Sequence, residues 1–235
     1  NYYPVMKKVN QAGPEIVGEL QIAGLSPAEF KREIERGEAL LLDTRSILSF
    51  GGGHIPGAIN IGARPILSVW AGWLLPSDKP LLLVLEDDTQ LYDVLPLLIR
   101  TGYTAFAGYL AGGMAAWIDA GYEIKRLNQL SVQEVRSGAT NMTLLDVRTE
   151  GEWMNGHIPG ALHIPLPDLQ SKAKQTIPKG PVAVYCGSGY RASIAGSILL
   201  NEGYEEVWNI PGSFSAWKNN DYPIEGEAEA LAAKG

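Results

Sequence analysis

A chain of 235 residues, 46% hydrophobic and 19% charged, has apolar material for one large or two modest cores. Its formal charge of −7, with no Lys/Arg-rich block, argues against nucleic acid or an anionic membrane as a main partner, and no apolar run is long enough to span a bilayer. The single cysteine, Cys186, cannot form an internal disulfide and points to a reducing, cytoplasmic setting.

The first residues, Asn1-Tyr2-Tyr3-Pro4-Val5-Met6-Lys7-Lys8, lack the basic-then-apolar layout of a signal peptide. Residues 1–20 read as a linker or strap that packs Tyr2, Tyr3 and Met6 on the first domain. Ser26-Pro27-Ala28-Glu29 carries the signals of a helix start: a capping serine, proline in the first turn and glutamate three residues on. The run 40–43, Leu-Leu-Leu-Asp, predicts a buried parallel strand whose polar end reaches a site. Gly53-His54-Ile55-Pro56-Gly57 then marks a turn, 81–85 predicts a second buried strand, and 92–100 a helix closed by Gly102.

From residue 122 to 128 the chain reads as a junction, after which the pattern repeats. Ser131 and Glu134 open a helix, 143–146 and 182–185 predict strands, and 191–201 predicts a helix closed by Gly203. Asp43 and Asp146, and His54 and His157, are separated by the same offset of 103. Further on, Gly112 to Trp117 matches Gly212 to Trp217. Alternating strand and helix with short links implies two α/β domains, each a parallel sheet flanked by helices. Their expected bounds are 21–125 and 126–235, and residues 226–235 read as a frayed or weakly helical tail.

Cys186 stands where an apolar strand gives way to a helix, in Cys186-Gly187-Ser188-Gly189-Tyr190-Arg191. A tight glycine loop between the C-terminal end of a parallel strand and a helix start aims main-chain N–H groups at one point, which suits a thiolate and a bound anion. Gly187, Ser188, Gly189, Tyr190 and Arg191 are therefore expected to line the substrate site, with Cys186 as nucleophile and Arg191 as a cation facing an anionic donor. The bland alternative is a cysteine acting as a small buried hydrophobe. The Ser188 hydroxyl either donates to a bound sulfur or merely solvates the loop. Asp146 and Arg148, like Asp43 and Arg45, are expected to knit loops together, and His157 is expected to be structural because its twin His54 lies in a half without a nucleophile. Trp117 and Trp217 read as core packing, and no His/Cys cluster has metal-ligand spacing.

The set Asp146-Val-Arg148, Gly156-His157-Ile-Pro159-Gly160-Ala161, Cys186 to Arg191 and Gly212 to Trp217 resembles the rhodanese, or thiosulfate sulfurtransferase, superfamily over residues 129–225. The resemblance implies that Cys186 takes a sulfane sulfur from a donor, holds it as a covalent persulfide with no other cofactor, and passes it to a thiol or cyanide. A six-residue loop goes with sulfur transfer, whereas the phosphatase relatives have longer ones. An ending in Gly-Tyr-Arg rather than Gly-Val-Thr leans towards thiosulfate or low-molecular-weight persulfides as donors. Residues 24–124 resemble the same superfamily, but Leu85 stands at the cysteine position and Gln90 at the arginine, with Glu86, Asp87 and Asp88 between them. Three consecutive carboxylates there would repel an anionic donor. The first domain is therefore expected to be inactive, presenting a partner or serving as scaffold.

The stretch 1–14 resembles the segment joining a metallo-β-lactamase-fold persulfide dioxygenase to rhodanese-like domains in bacterial fusions. That resemblance implies a fused or separate dioxygenase as a partner. Two other readings stay open. One is a cysteine-dependent phosphatase or arsenate reductase, disfavoured by the short loop and the lack of an evident general acid. The other is a persulfide carrier or docking module without free-standing turnover.

Overall fold

The computed structural model describes residues 22–138 and 141–226. The strap expected over 1–20 and the tail expected beyond Gly226 lie outside the described residues. The described chain parts into two compact units at Lys125 and Arg126, with Gly51–Gly53 grouping with the second. No helix of the described residues is long and apolar enough to cross a membrane.

The first unit holds β1 (Gly24–Leu25), α1 (Pro27–Arg36), β2 (Leu40–Asp43), α2 (Ile47–Gly52), β3 (Ile59–Asn60), α3 (Leu67–Leu74), β4 (Leu81–Val84), α4 (Leu91–Ile99), β5 (Phe106–Leu110) and α5 (Gly113–Asp119). Its sheet runs β1-β5-β4-β2-β3, parallel throughout. In the second unit come β6 (Asn128–Gln129), α6 (Val132–Arg136), β7 (Thr143–Asp146), α7 (Glu150–Met154), β8 (Leu162–His163), α8 (Leu169–Thr176), β9 (Val182–Tyr185), α9 (Tyr190–Asn201), β10 (Val207–Asn209) and α10 (Ser213–Asn219). Its parallel sheet runs β6-β10-β9-β7-β8 and repeats the order of the first.

Local chemistry sets these elements. Ser26 and Ser131 each accept the N–H of the glutamate three residues on, and each glutamate carboxylate accepts the serine N–H in return. The helices before Gly102 and Gly203 end there because both glycines take the left-handed conformation, at φ 94° and 91°, which closes the last turn. The central strands β4 and β9 are buried along their whole length, since helices cover both faces of the sheet. Four strands, β1, β3, β6 and β8, have only two residues each and show no periodicity a sequence reading could use. The strand expected over 81–85 stops at Val84, leaving Leu85 to begin the adjoining loop.

Candidate active site

The six-residue loop connects β9 to α9, at the C-terminal end of the central strand, where open parallel sheets hold their ligands. Gly189 N–H donates to the Cys186 sulfur at 3.2 Å. It does so from a left-handed backbone, φ 103°, which glycine adopts without a Cβ clash and which starts α9. The loop carbonyls face the other way. Phe214 N–H donates to Cys186 O (3.0 Å), Ser215 N–H to Gly187 O (3.0 Å) and Gly212 N–H to Ser188 O (3.2 Å), so the start of α10 draws three consecutive carbonyls away from the sulfur.

Ser213 completes this arrangement. Its hydroxyl accepts Cys186 N–H at 3.1 Å and donates to Ile210 O at 2.6 Å. Ser213 is itself left-handed, at φ 48°, an unfavourable state for a side chain that these two buried hydrogen bonds help to hold. In the sequence, Trp217 reads as core packing, and the residues from Gly212 before it carry no expected role at the cysteine. Trp217 is indeed buried, donating its ring N–H to Pro223 O, but the residues before it orient the cysteine loop.

Cys186 is 1% exposed, more enclosed than an open reactive thiol, while Gly187 is half-buried and Ser188 is exposed. Burial alone would suit a core cysteine. The N–H on its sulfur and the neighbouring arginine do not. Arg191 folds back over the loop, so that a Cβ added to Gly187 would lie 3.3 Å from its Nη2. Tyr190 is buried, and the Ser188 side chain stands at the exposed rim.

Arg191 does not face an empty site as a free cation. Its Nη1 and Nη2 donate to the two carboxylate oxygens of Glu152, both at 2.7 Å. The arginine holds Glu152 down to about pKa 2 against the opposing effect of burial. Arg191 is in turn held above its ordinary value, first by Glu152 and also by the Cys186 sulfur. Sequence reasoning misses Glu152, although a signal for it exists. Thr149-x-x-Glu152 is a third capping box, and this carboxylate accepts Thr149 N–H at 3.1 Å while reaching Arg191.

Asp146 and Arg148 are buried and bind each other. Arg148 Nη2 donates to Asp146 at 2.6 Å and to Gly156 O at 2.8 Å, which fixes the turn before His157. Its guanidinium carbon lies 4.0 Å from the Phe214 ring centre, a cation–π contact that ties this pair to the start of α10. His157 stacks on Trp153 with ring centres 3.4 Å apart, and its Nδ1 lies 3.1 Å from Trp153 O. Nothing in these contacts directs the imidazole at the sulfur.

Comparison with known proteins fits this geometry. The family model for the rhodanese-like domain matches residues 26–120 and, a second time, residues 131–220. The chain belongs to the rhodanese-like domain family. It is similar to an uncharacterised Bacillus subtilis protein, YqhL, at 31% identity over 112 residues, covering 48% of this chain and 86% of that one. An Allochromatium vinosum sulfurtransferase is 29% identical over 101 residues, 43% of this chain and 94% of that protein. Thiosulfate sulfurtransferase GlpE of Coxiella burnetii is 31% identical over 78 residues, 33% of this chain and 73% of that protein.

The first rhodanese-like domain builds the equivalent loop differently. Leu85 is fully buried where the second domain has its cysteine. Glu86 Oε2 accepts Ser46 N–H at 2.9 Å and Oε1 accepts the Ser49 hydroxyl at 2.7 Å. Asp88 accepts Gly112 N–H at 3.0 Å, and Gln90 Oε1 accepts Glu86 N–H at 2.9 Å. The acidic residues expected to repel an anion thus do something further: their carboxylates occupy main-chain donors around the loop.

Proposed function

We propose that the second rhodanese-like domain is a sulfurtransferase that carries a sulfane sulfur on Cys186. In the first half-reaction the Cys186 thiolate attacks the outer sulfur of thiosulfate or of a low-molecular-weight persulfide. An Sγ–S bond forms, the donor's S–S bond breaks, and sulfite or a thiolate leaves with the electron pair. In the second, a thiol or cyanide takes the outer sulfur and the Cys186 thiolate is restored. Gly189 N–H would stabilise negative charge on either sulfur state, with Arg191 beside it. The observation that carries this reading is the Gly189 N–H on Sγ within a loop whose carbonyls are drawn outward. The first domain, with leucine at the nucleophile position, serves as scaffold or partner-presenting unit in this reading.

Intact mass spectrometry tests it. Exposure to sodium thiosulfate or, separately, to glutathione persulfide is expected to add one sulfur atom to the wild-type chain, removable by cyanide, and none to Cys186→Ser. Unchanged wild-type mass with both donors, or equal sulfur uptake by Cys186→Ser, would overturn the proposal.

A further inference from the structure

The choice of donor can be taken further, resting on the sulfur-transfer reading above. Both arginines of the site are already matched: Arg148 to Asp146, and Arg191 to Glu152 through two short hydrogen bonds. Neither guanidinium brings surplus positive charge to the loop. The Glu152–Arg191 pair is only partly exposed, with 37% and 19% of the side chains accessible, so water screens it incompletely.

The two donor classes make different demands on such a site. Thiosulfate arrives as a dianion, so its attack by a thiolate gathers three negative charges before sulfite leaves. A protonated persulfide, R–S–SH, brings no charge on its reacting sulfurs: Sγ bonds to the outer sulfur, the donor's S–S bond breaks, and RS⁻ departs with the electron pair, leaving Cys186–S–SH. In the transition state one negative charge is shared along three sulfurs. An N–H donor with a neutralised arginine suits the second case, whereas the first calls for an unmatched cation. We propose that Glu152, acting through Arg191, sets donor selectivity towards protonated low-molecular-weight persulfides and against thiosulfate. Arg191 holds the Glu152 carboxylate down to about pKa 2, so the pair stays charged at neutral pH.

Sulfur loading of Cys186, followed by rapid quench and mass spectrometry with sodium thiosulfate and with glutathione persulfide, tests this. Glu152→Gln keeps the side-chain shape but releases the arginine charge; Glu152→Asp keeps the carboxylate. The ratio of kcat/KM for thiosulfate to that for glutathione persulfide is expected to rise at least about tenfold in Glu152→Gln, through a lower KM for thiosulfate, and to stay near the wild-type ratio in Glu152→Asp. An equal fall for both donors in Glu152→Gln, with the ratio unmoved, would show a merely structural carboxylate and overturn the inference. Should Glu152→Gln not fold, wild type decides. Thiosulfate loading that holds or quickens as salt rises supports the inference, and loading that slows with salt means the loop attracts anions and overturns it. If neither donor loads wild type, the sulfur-transfer reading fails and this inference with it. Loading by both donors with an unmoved ratio removes the inference alone.

Discussion

His54 and His157 occupy the same Gly-His-Ile-Pro-Gly motif, yet the structure gives them different surroundings. His157 Nε2 lies 3.6 Å from a Glu225 carboxylate oxygen, whereas His54 is buried against Phe50, with ring centres 3.9 Å apart. Burial, with Arg45 and Lys125 adding to it, pushes His54 down to about pKa 4 although the Phe50 carbonyl opposes the shift. The unfolded chain therefore binds a proton between about pH 6.5 and 4 that the folded one refuses. This contribution to stability is complete above about pH 6.5 and is lost as the pH falls towards 4, by about 3 kcal/mol. Urea unfolding of wild type should show that slope, and His54→Asn should flatten it; identical slopes would place the acid sensitivity elsewhere. The motif was legible as a turn and as structural in kind. The difference between its copies was not, because it depends on burial and on residues brought from far along the chain, Lys125 at one copy and Glu225 at the other.

Among the elements, α9 shows how tightly the loop is seated. Every residue from 192 to 199 is buried, so this helix has no polar face to mark it as amphipathic. Gly196 is part of the fit, since a Cβ there would come within 2.8 Å of Leu127 Cδ2 and 2.9 Å of Cδ1. Two effects compete in Gly196→Ala. Helix propensity favours alanine by about 1 kcal/mol, while overpacking against the fully buried Leu127 costs about 1–3 kcal/mol. Overpacking should win, giving a net loss of up to about 2 kcal/mol in chemical denaturation that Leu127→Val partly restores; a stabilised Gly196→Ala would refute this. The long apolar runs that became β2, β4, β7 and β9 were legible, as were two of the three capping boxes. The third, Thr149 to Glu152, was written in the same spelling. Its role at the site was hidden because the partner, Arg191, is supplied by α9 on the other side of β9 in the chain.

At the scale of the molecule, one fold is used twice with different side-chain chemistry at the same loop. The second domain leaves an N–H directed at sulfur and places Arg191 nearby. In the first, carboxylates of the loop accept N–H groups of Ser46 and Gly112, and Gln90 stands at the arginine position. Restoring a thiol alone should therefore not restore chemistry. Leu85→Cys, made in the Cys186→Ser background, is expected to take up no sulfur from thiosulfate or glutathione persulfide by intact mass, and uptake at the wild-type rate would show that the surrounding charges matter little. The repeat itself was legible from its nearly constant offset, 103 at Asp43 and His54 and 100 at Gly112. How the first domain's loop is held was not, because the bonds joining Glu86 to Ser46 and Asp88 to Gly112 link segments separated in sequence.

The three main-chain ties from Gly212, Phe214 and Ser215 to the cysteine loop involve no atom of the Ser188 side chain, which stands exposed at the rim. Drift at that position is thereby uncoupled from the shape of the cradle. A lineage could rewrite the rim of the loop while inheriting the setting of Cys186 unchanged.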